Sequence, residues 1–264
     1  MFIQPTVDSL NRLKLHGMAA ALAEQMTQSA ASELAFEDRF GLLVERETLY
    51  RDNRRLARLL QLAQLKVRAS LEDLDVRARR GLDRAQIASL GSCDWIRSAQ
   101  NLLIHGATGC GKTFLACALA NQACRQGLSA LYVRAPRLFE ELNLCHADGS
   151  FRKRLAAIAK TSLLVIDDFA ISPIGARERT DLLELLDDRV GTRATLITSQ
   201  LPIDDWHDYI GDPTLADAIL DRLRGTWIHR RIARDPAAAP RRWQWKARKL
   251  KPAGTPGQSS ASLH

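Results

Sequence analysis

The chain has 264 residues, 46% of them apolar, which is enough for one large domain or two modest ones with a real core. Its net charge of +8 is uneven, because residues 222–251 hold eleven Lys or Arg against one acid, Asp235. No apolar run approaches the ~18 residues of a membrane span, and the first residues lack the apolar core and cleavage site of a secretory leader. We therefore expect a cytoplasmic protein with no membrane partner.

Residues 8–88 are predicted to be helical, because their apolar side chains recur at helical spacing. A helical pattern is expected over residues 7–26, where these apolar residues lie near a single stripe: Leu10, Leu13, Met18, Leu22 and Met26. A second is expected over residues 36–65, with this apolar face: Phe36, Phe40, Leu43, Leu49, Leu56, Leu59 and Leu60.

Arginines lie opposite that second apolar face at three- and four-residue spacing: Arg46, Arg51, Arg54, Arg55 and Arg58. A basic stripe of this kind suits the phosphate backbone of double-stranded DNA. The candidate DNA contacts are Arg51, Arg54, Arg55 and Arg58. The alternative is an ordinary solvated helix face, whose charge is partly balanced by Glu45 and Glu47.

The stretch "LIHGATGCGKTFLACALA", residues 103–120, runs from an apolar strand through a glycine loop into an alanine-rich helix. It matches the P-loop pattern G-x-x-x-x-G-K-[ST], in which glycines let the backbone wrap an anion at a helix N-terminus. In a solvent-facing loop, Lys112 should reach the β- and γ-phosphates and the Thr113 hydroxyl should ligate Mg²⁺. The candidate nucleotide-binding residues are Gly106, Ala107, Thr108, Gly109, Cys110, Gly111, Lys112 and Thr113.

The cysteines and histidines do not form a metal-binding pattern. Cys110, Cys117 and Cys124 repeat every seven residues, which on a helix predicts one buried face of reduced thiols. The histidines are scattered without the spacing of metal ligands, so we predict no zinc site.

From residue 101 onward, short strands alternate with helices, which predicts a parallel sheet with helices on both faces. "LLVIDDF", residues 163–169, is a strand that ends in two acids. At the carboxyl end of the sheet, Asp167 is expected to hold Mg²⁺ and Asp168 to orient or deprotonate the attacking water. Adjacent acids favour ATP hydrolysis over phosphoryl transfer to a metabolite, since no acceptor pocket or arginine-rich lid is recognisable.

Two later features complete the predicted catalytic set. The strand "ATLITSQ", residues 194–200, ends in Thr198, Ser199 and Gln200, of which Ser199 and Gln200 are candidates to sense the γ-phosphate or position water. Arg222 lies near the end of an amphipathic helix. If subunits pack head to tail, it is placed to enter the neighbouring site as an arginine finger.

These elements together resemble the IstB-like ATPases, transposition helpers within the AAA+ superfamily and relatives of the DnaC helicase loaders. The matching segments span about residues 8–223: "LKLHGMAAALAEQ", "ERETLYRDNRRLARLL", "GATGCGKTFLACALA", "YVRAPRLFEEL", "LLVIDDF", "ITSQLPIDDWH" and "DPTLADAILDRL". The resemblance implies an α/β fold, in which a P-loop AAA+ sheet flanked by helices follows a small all-helical N-terminal domain. It also implies an ATP- and Mg²⁺-dependent ATPase that oligomerises on DNA and stimulates a partner transposase.

Two other functions stay open from the sequence. One is a DnaC-like replicative helicase loader with the same ATP-binding machinery. The other is an ATP-binding DNA-coating protein with little hydrolysis.

The resemblance ends abruptly after Leu223. Relatives continue into a closing β-strand and a downstream arginine that acts as a second sensor, and neither is recognisable in "RGTWIHRRIARDPAAAP". We predict three regions: a helical DNA- or partner-binding domain at residues 1–88, an AAA+ ATPase domain at 89–235 and a basic, disordered tail at 236–264.

Overall fold

The computed structural model describes residues 4–28, 33–75, 84–224 and 227–232, with the backbone alone at 224 and 227–231. Its helices are α1 (Gln4–Arg12), α2 (His16–Thr27), α3 (Phe36–Ala63), α4 (Arg84–Gly91), α5 (Asp94–Arg97), α6 (Lys112–Arg125), α7 (Ala135–Asp148), α8 (Phe151–Ala159), α9 (Ala176–Asp187), α10 (Trp206–Ile210) and α11 (Pro213–Arg224). Its strands are β1 (Asn101–His105), β2 (Ala130–Arg134), β3 (Leu163–Phe169), β4 (Ala194–Ser199) and β5 (Trp227–Arg231).

The five strands form one parallel sheet in the order β2-β3-β4-β1-β5. Successive side chains of a strand point to opposite faces, so each strand contributes to two cores. Leu102 and Ile104 pack with α6 and the end of α3 on one face, whereas Leu103 packs with α7, α9 and α11 on the other. The predicted parallel sheet with helices on both faces is thus confirmed.

The N-terminal helices pack through a close contact between α2 and α3. Glu47, only 6% exposed, accepts hydrogen bonds from the amides of Gly17 at 2.7 Å and Met18 at 3.1 Å. It therefore satisfies free amides in the first turn of α2, where a negative charge is favoured. Burial by itself raises the pKa of Glu47, but its hydrogen bonds to Arg51 and the two amides hold that pKa below the ordinary value.

The structure adds two details to the predicted helices. The helical pattern over residues 7–26 is divided into α1 and α2 at Lys14, whose φ of 61° does not fit a right-handed helix. The expected apolar face of α3 is buried only in part: Leu43 and Leu59 are buried, but Phe36 and Phe40 are 71% and 49% exposed.

The end of α3 belongs to the core of the sheet domain. Leu59 and Ala63 are buried against α6, together with Ala69 from the segment that follows. A boundary near residue 88 between helical and ATPase domains stays a prediction, and α3 contributes to both regions. The predicted tail at 236–264 lies outside the described residues. Among the described residues, no helix combines the length and apolarity needed to cross a membrane.

The closing strand that the sequence did not reveal is present in the structure. β5 pairs in parallel with β1, with Trp227 opposite Asn101 and Arg231 opposite His105. Ile232 continues the pairing, because its amide donates to the His105 carbonyl at 2.8 Å. Strand pairing uses backbone groups, so an unfamiliar sequence can supply it.

We predict that a side chain at Gly17 separates α2 from α3. An added Cβ lies 2.7 Å from both the Arg46 carbonyl oxygen and the Glu47 Cα, which are backbone atoms. Gly17→Ala should therefore destabilise the protein by about 1–3 kcal/mol in urea unfolding and accelerate hydrogen exchange in α2. Gly41→Ala is the matched control, because nothing lies within 4 Å of its added Cβ. It should be neutral or stabilise α3 by up to about 1 kcal/mol; equal effects of the two substitutions would contradict the packing.

Candidate nucleotide-binding site

The glycine loop between β1 and α6 has a conformation that requires glycine at both ends. Gly106 has φ of 155°, and an added Cβ would lie 2.1 Å from the Ile232 carbonyl oxygen. Gly111, which precedes the first residue of α6, has φ of 99°. The three residues between Gly106 and Cys110 are exposed, while Cys110 itself is buried as an internal spacer. The exposed loop thus lies at the N-terminus of a 14-residue helix, where an anion is favoured.

Lys112 is buried, not solvent-facing as the sequence suggested. It is 7% exposed, and its Nζ donates to the carbonyl oxygens of Gly106 at 2.7 Å and Ala107 at 3.0 Å. The reason is that Lys112 is the first residue of α6, so its side chain folds back along the loop. This position holds a positive charge inside the loop.

Asp167 is fully buried and is the centre of a network of hydroxyl groups. Thr113 donates to its carboxylate, at 2.9 Å from Oδ2 and 3.2 Å from Oδ1. Tyr132 of β2 donates to Oδ2 at 2.5 Å, and Thr198 of β4 donates to Oδ1. Burial and the hydrogen bond to Asp167 raise the pKa of Tyr132 far above its ordinary value. The structure therefore brings the predicted metal ligands Thr113 and Asp167 into direct contact.

Asp168 has a left-handed backbone, with φ of 58°, at an irregularity in the pairing of β3 with β4. Its amide donates to the Thr198 hydroxyl at 3.2 Å, which fixes the local turn of the chain. Its carboxylate accepts a hydrogen bond from Arg134 Nε at 2.9 Å and is 18% exposed. Thus Asp167 points into the network of hydroxyl groups while Asp168 is paired with an arginine.

The two residues predicted at the end of β4 have different surroundings. Gln200 contacts the glycine loop, because the Thr108 hydroxyl donates to its Oε1 at 2.7 Å. Ser199 is 1% exposed, and its hydroxyl donates to the Phe169 carbonyl and accepts from the Leu201 amide. Ser199 thus holds the turn after β4, and its part in sensing the γ-phosphate or positioning water stays a prediction.

Arg222 lies away from the loop of its own chain. Its carbonyl accepts a hydrogen bond from Asn101, the first residue of β1, whereas the glycine loop follows the last residue of that strand. Its guanidinium donates to Asp187 at 2.6 Å, an ion pair that raises the pKa of Arg222. The structure therefore does not bring Arg222 together with the other predicted catalytic residues of the same chain.

The arginine stripe of α3 divides into two pairs. Arg51 donates to Glu47 at 2.7 Å, and Arg55 donates to the Gly127 carbonyl at 3.0 Å, so both have intramolecular partners. Arg54 and Arg58 are exposed and make no hydrogen bond or ion pair within the described part of the chain. Of the four candidate DNA contacts, these two are the free cations.

Two contact residues were missed from the sequence, namely Tyr132 and Arg134. Both belong to β2, and both contact the acid pair at the end of β3. Their spacing in the sequence indicates that they share one face of a strand, because side chains two residues apart point to the same side. That spacing alone does not show that β2 lies beside β3, so it could not place either side chain near the acids.

Comparison with known proteins decides the family. The model of the family described as IstB-like ATP binding protein matches residues 8–230. This chain belongs to the IstB-like ATP-binding family. The match extends past Leu223, where the recognisable resemblance ended, and includes most of β5.

IstB-like relatives from insertion sequences are similar over most of the chain. The ATP-binding protein of IS1162 from Pseudomonas fluorescens is 52% identical over 203 residues, covering 76% of this chain and 88% of that protein. The insertion-sequence ATP-binding protein y4pL from Sinorhizobium fredii is 47% identical over 223 residues, covering 84% of this chain and 91% of that protein.

Solved structures show the same P-loop AAA+ fold. DnaI superposes with a TM-score of 0.54 at 24% identity, covering 67% of this chain and 93% of that one. The DnaC helicase loader superposes with a TM-score of 0.53 at 16% identity, covering 62% and 96%. The predicted fold is confirmed. Membership of the IstB-like ATP-binding family identifies ATP as the ligand.

We predict that Lys112→Ala weakens ATP binding about 10- to 100-fold, since a hydrogen bond to a charged group contributes about 1.5–3 kcal/mol. Calorimetric titration with ATP measures the change. Lys160→Ala, which removes an exposed lysine next to α8, is the control and should bind ATP as the wild type does. Circular dichroism should show both variants folded. Wild-type affinity in Lys112→Ala would rule out the loop as the phosphate site.

Proposed function

We propose that this protein is an ATP-dependent, DNA-binding helper of an insertion-sequence transposase. In the cytoplasm it would oligomerise on double-stranded DNA and stimulate transposition, and hydrolysis of ATP would reset the assembly. The proposal rests on the hydrogen bond between Thr113, in the first turn of α6 directly after the glycine loop, and the buried Asp167. The insertion-sequence relatives, at 52% and 47% identity, favour this function over a helicase loader.

The donor set at this contact fits Mg²⁺. Thr113 and Asp167 offer a hydroxyl and a carboxylate, and Mg²⁺ prefers oxygen ligands. When bound, Mg²⁺ would neutralise charge on the β- and γ-phosphates. Lys112 would hold the same phosphates from the loop, where its ammonium group is already buried.

Asp168 is proposed to orient and deprotonate the attacking water. In the structure one of its two oxygens, Oδ2, accepts a hydrogen bond from Arg134 Nε at 2.9 Å. Asp168 would therefore meet the water through its other oxygen, or through Oδ2 after Arg134 has moved away. Gln200, held against Thr108 of the loop, would position the same water or contact the γ-phosphate.

We predict that Asp168→Asn binds ATP within a few-fold of the wild type but hydrolyses it at least ~100-fold more slowly, because an amide cannot accept the proton. Phosphate release and calorimetry measure the two properties. Asp204→Asn makes the same chemical change at an exposed turn and should behave like the wild type. Normal turnover by Asp168→Asn would remove Asp168 from the mechanism.

Arg222 is proposed to act in a neighbouring subunit. It is far from its own glycine loop but partly exposed, and its ion pair with Asp187 leaves its position near the surface. A guanidinium inserted into a neighbour's site would stabilise the charge that develops on the transferring phosphoryl group. Each site would then need two subunits.

We predict that Arg222→Ala binds ATP almost normally and hydrolyses it at least ~100-fold more slowly. Mixing it with Lys112→Ala should restore part of the activity, because some interfaces then pair an intact loop with an intact Arg222. Light scattering on the same samples must show wild-type assembly size. Correctly sized mixtures with no recovered activity would argue that Arg222 does not act between subunits.

DNA binding is proposed to use Arg54 and Arg58 on the exposed side of α3. Both are free cations one helical turn apart, and such a pair can contact successive phosphates of a backbone. Contacts of this kind carry no sequence information, so binding should vary little with DNA sequence.

We predict that Arg54→Gln together with Arg58→Gln lowers the slope of log affinity against log salt by about two units for duplex DNA. Fluorescence anisotropy at several salt concentrations measures the slope. Arg152→Gln with Lys153→Gln removes two exposed charges from α8 and is the control for net charge alone. If both double variants change the salt slope equally, Arg54 and Arg58 do not contact DNA and form an ordinary solvated helix face.

A further inference from the structure

We propose that Tyr132 is a positioning residue for the metal-binding carboxylate of Asp167. The inference rests on the proposed Mg²⁺- and ATP-dependent function. It gives β2, the strand that contains Tyr132, a role in that function. Tyr132 would act through Asp167, without touching nucleotide or metal itself.

The surroundings of Asp167 make its orientation dependent on hydroxyl groups. The side chain is 0% exposed, and no ion pair reaches it within the residues that the structure describes. Its hydrogen-bond donors are Thr113, Tyr132 and Thr198. A buried carboxylate without a cation needs such donors, because burial penalises an unpaired charge.

The three donors have different positions around the carboxylate. β2 and β4 lie on either side of β3, so Tyr132 and Thr198 hold the carboxylate from both flanks. Thr113 approaches from the glycine loop, which is the side on which phosphates are proposed to bind. The two flanking hydroxyls thus fix the direction in which Asp167 meets a ligand held by Thr113.

Tyr132 is suited to this role because its ring and its hydroxyl have separable functions. The ring is buried in the core beside α6, with the residue 6% exposed, and the hydroxyl is 2.5 Å from Asp167 Oδ2. Removal of the oxygen alone would leave the packing and take away the flanking donor to Oδ2, which would then be held by Thr113 alone.

The test compares binding of a non-hydrolysable ATP analogue, adenylyl imidodiphosphate, in excess Mg²⁺ and in EDTA. The ratio of the two dissociation constants measures how much the metal contributes to nucleotide binding. Hydrogen-bond partners of metal-ligating carboxylates typically affect metal affinity 10- to 100-fold. Tyr132→Phe should therefore lower the ratio by about tenfold or more, with the EDTA value unchanged.

Two further variants separate this role from a structural one. Tyr209→Phe removes a hydroxyl that donates to the Ser172 carbonyl at 2.6 Å, and should leave the ratio at the wild-type value. Thr198→Val removes the other flanking donor, together with the acceptor of the Asp168 amide, and should also lower the ratio. A wild-type ratio in folded Thr198→Val would contradict the control of Asp167 by its flanking hydroxyls.

The possible results separate a failure of the role of Tyr132 from a failure of the proposed function. A wild-type ratio in folded Tyr132→Phe, or a loss of affinity equal in Mg²⁺ and EDTA, would overturn the role of Tyr132 and leave the proposed function intact. A wild-type protein that binds the analogue equally with and without Mg²⁺ would overturn both the metal site and the inference.

Discussion

The buried carboxylate of Asp167 is the interaction on which the site depends. It has no exposed surface, and its three donors come from α6, β2 and β4. These elements can meet only if β3 lies between β2 and β4 and the glycine loop crosses the end of β4 from β1, which is the observed strand order. The order of the strands therefore determines whether the Asp167 carboxylate has its hydrogen-bond donors. A buried carboxylate without donors would destabilise the fold.

Local motifs made much of this site predictable. The glycine loop is contiguous in sequence, and in the structure it leads directly into the N-terminus of α6. Asp167 and Asp168 follow an apolar strand, and ligands of parallel sheets bind at the carboxyl ends of strands. These inferences could be made from the sequence because each depends on neighbours along the chain or on a rule that holds for parallel sheets in general.

The remaining features depend on which strands are adjacent, which residue spacing does not encode. Tyr132 and Arg134 contact the acids only because β2 pairs with β3, with Arg134 opposite Asp167. β5 was missed because backbone pairing at the sheet edge needs no recognisable side-chain pattern. Lys112 was expected in solvent, but its position as first residue of α6 directs it onto the loop carbonyls. The apolar spacing of α3 likewise does not indicate which of its turns are covered by another element.

The glycine loop and Arg222 lie at opposite ends of β1: the loop follows the last residue of the strand, whereas Arg222 is hydrogen-bonded to the first. In the proposed mechanism, a complete catalytic site therefore combines the loop of one subunit with Arg222 of another. The most direct test is the rate of Mg²⁺-dependent phosphate release per subunit, measured across protein concentrations with and without duplex DNA. The account predicts a rate per subunit that rises with concentration to a plateau, and a rise that shifts to lower concentration on DNA. A constant rate per subunit across the range in which light scattering shows assembly, or no phosphate release in any condition, would contradict it.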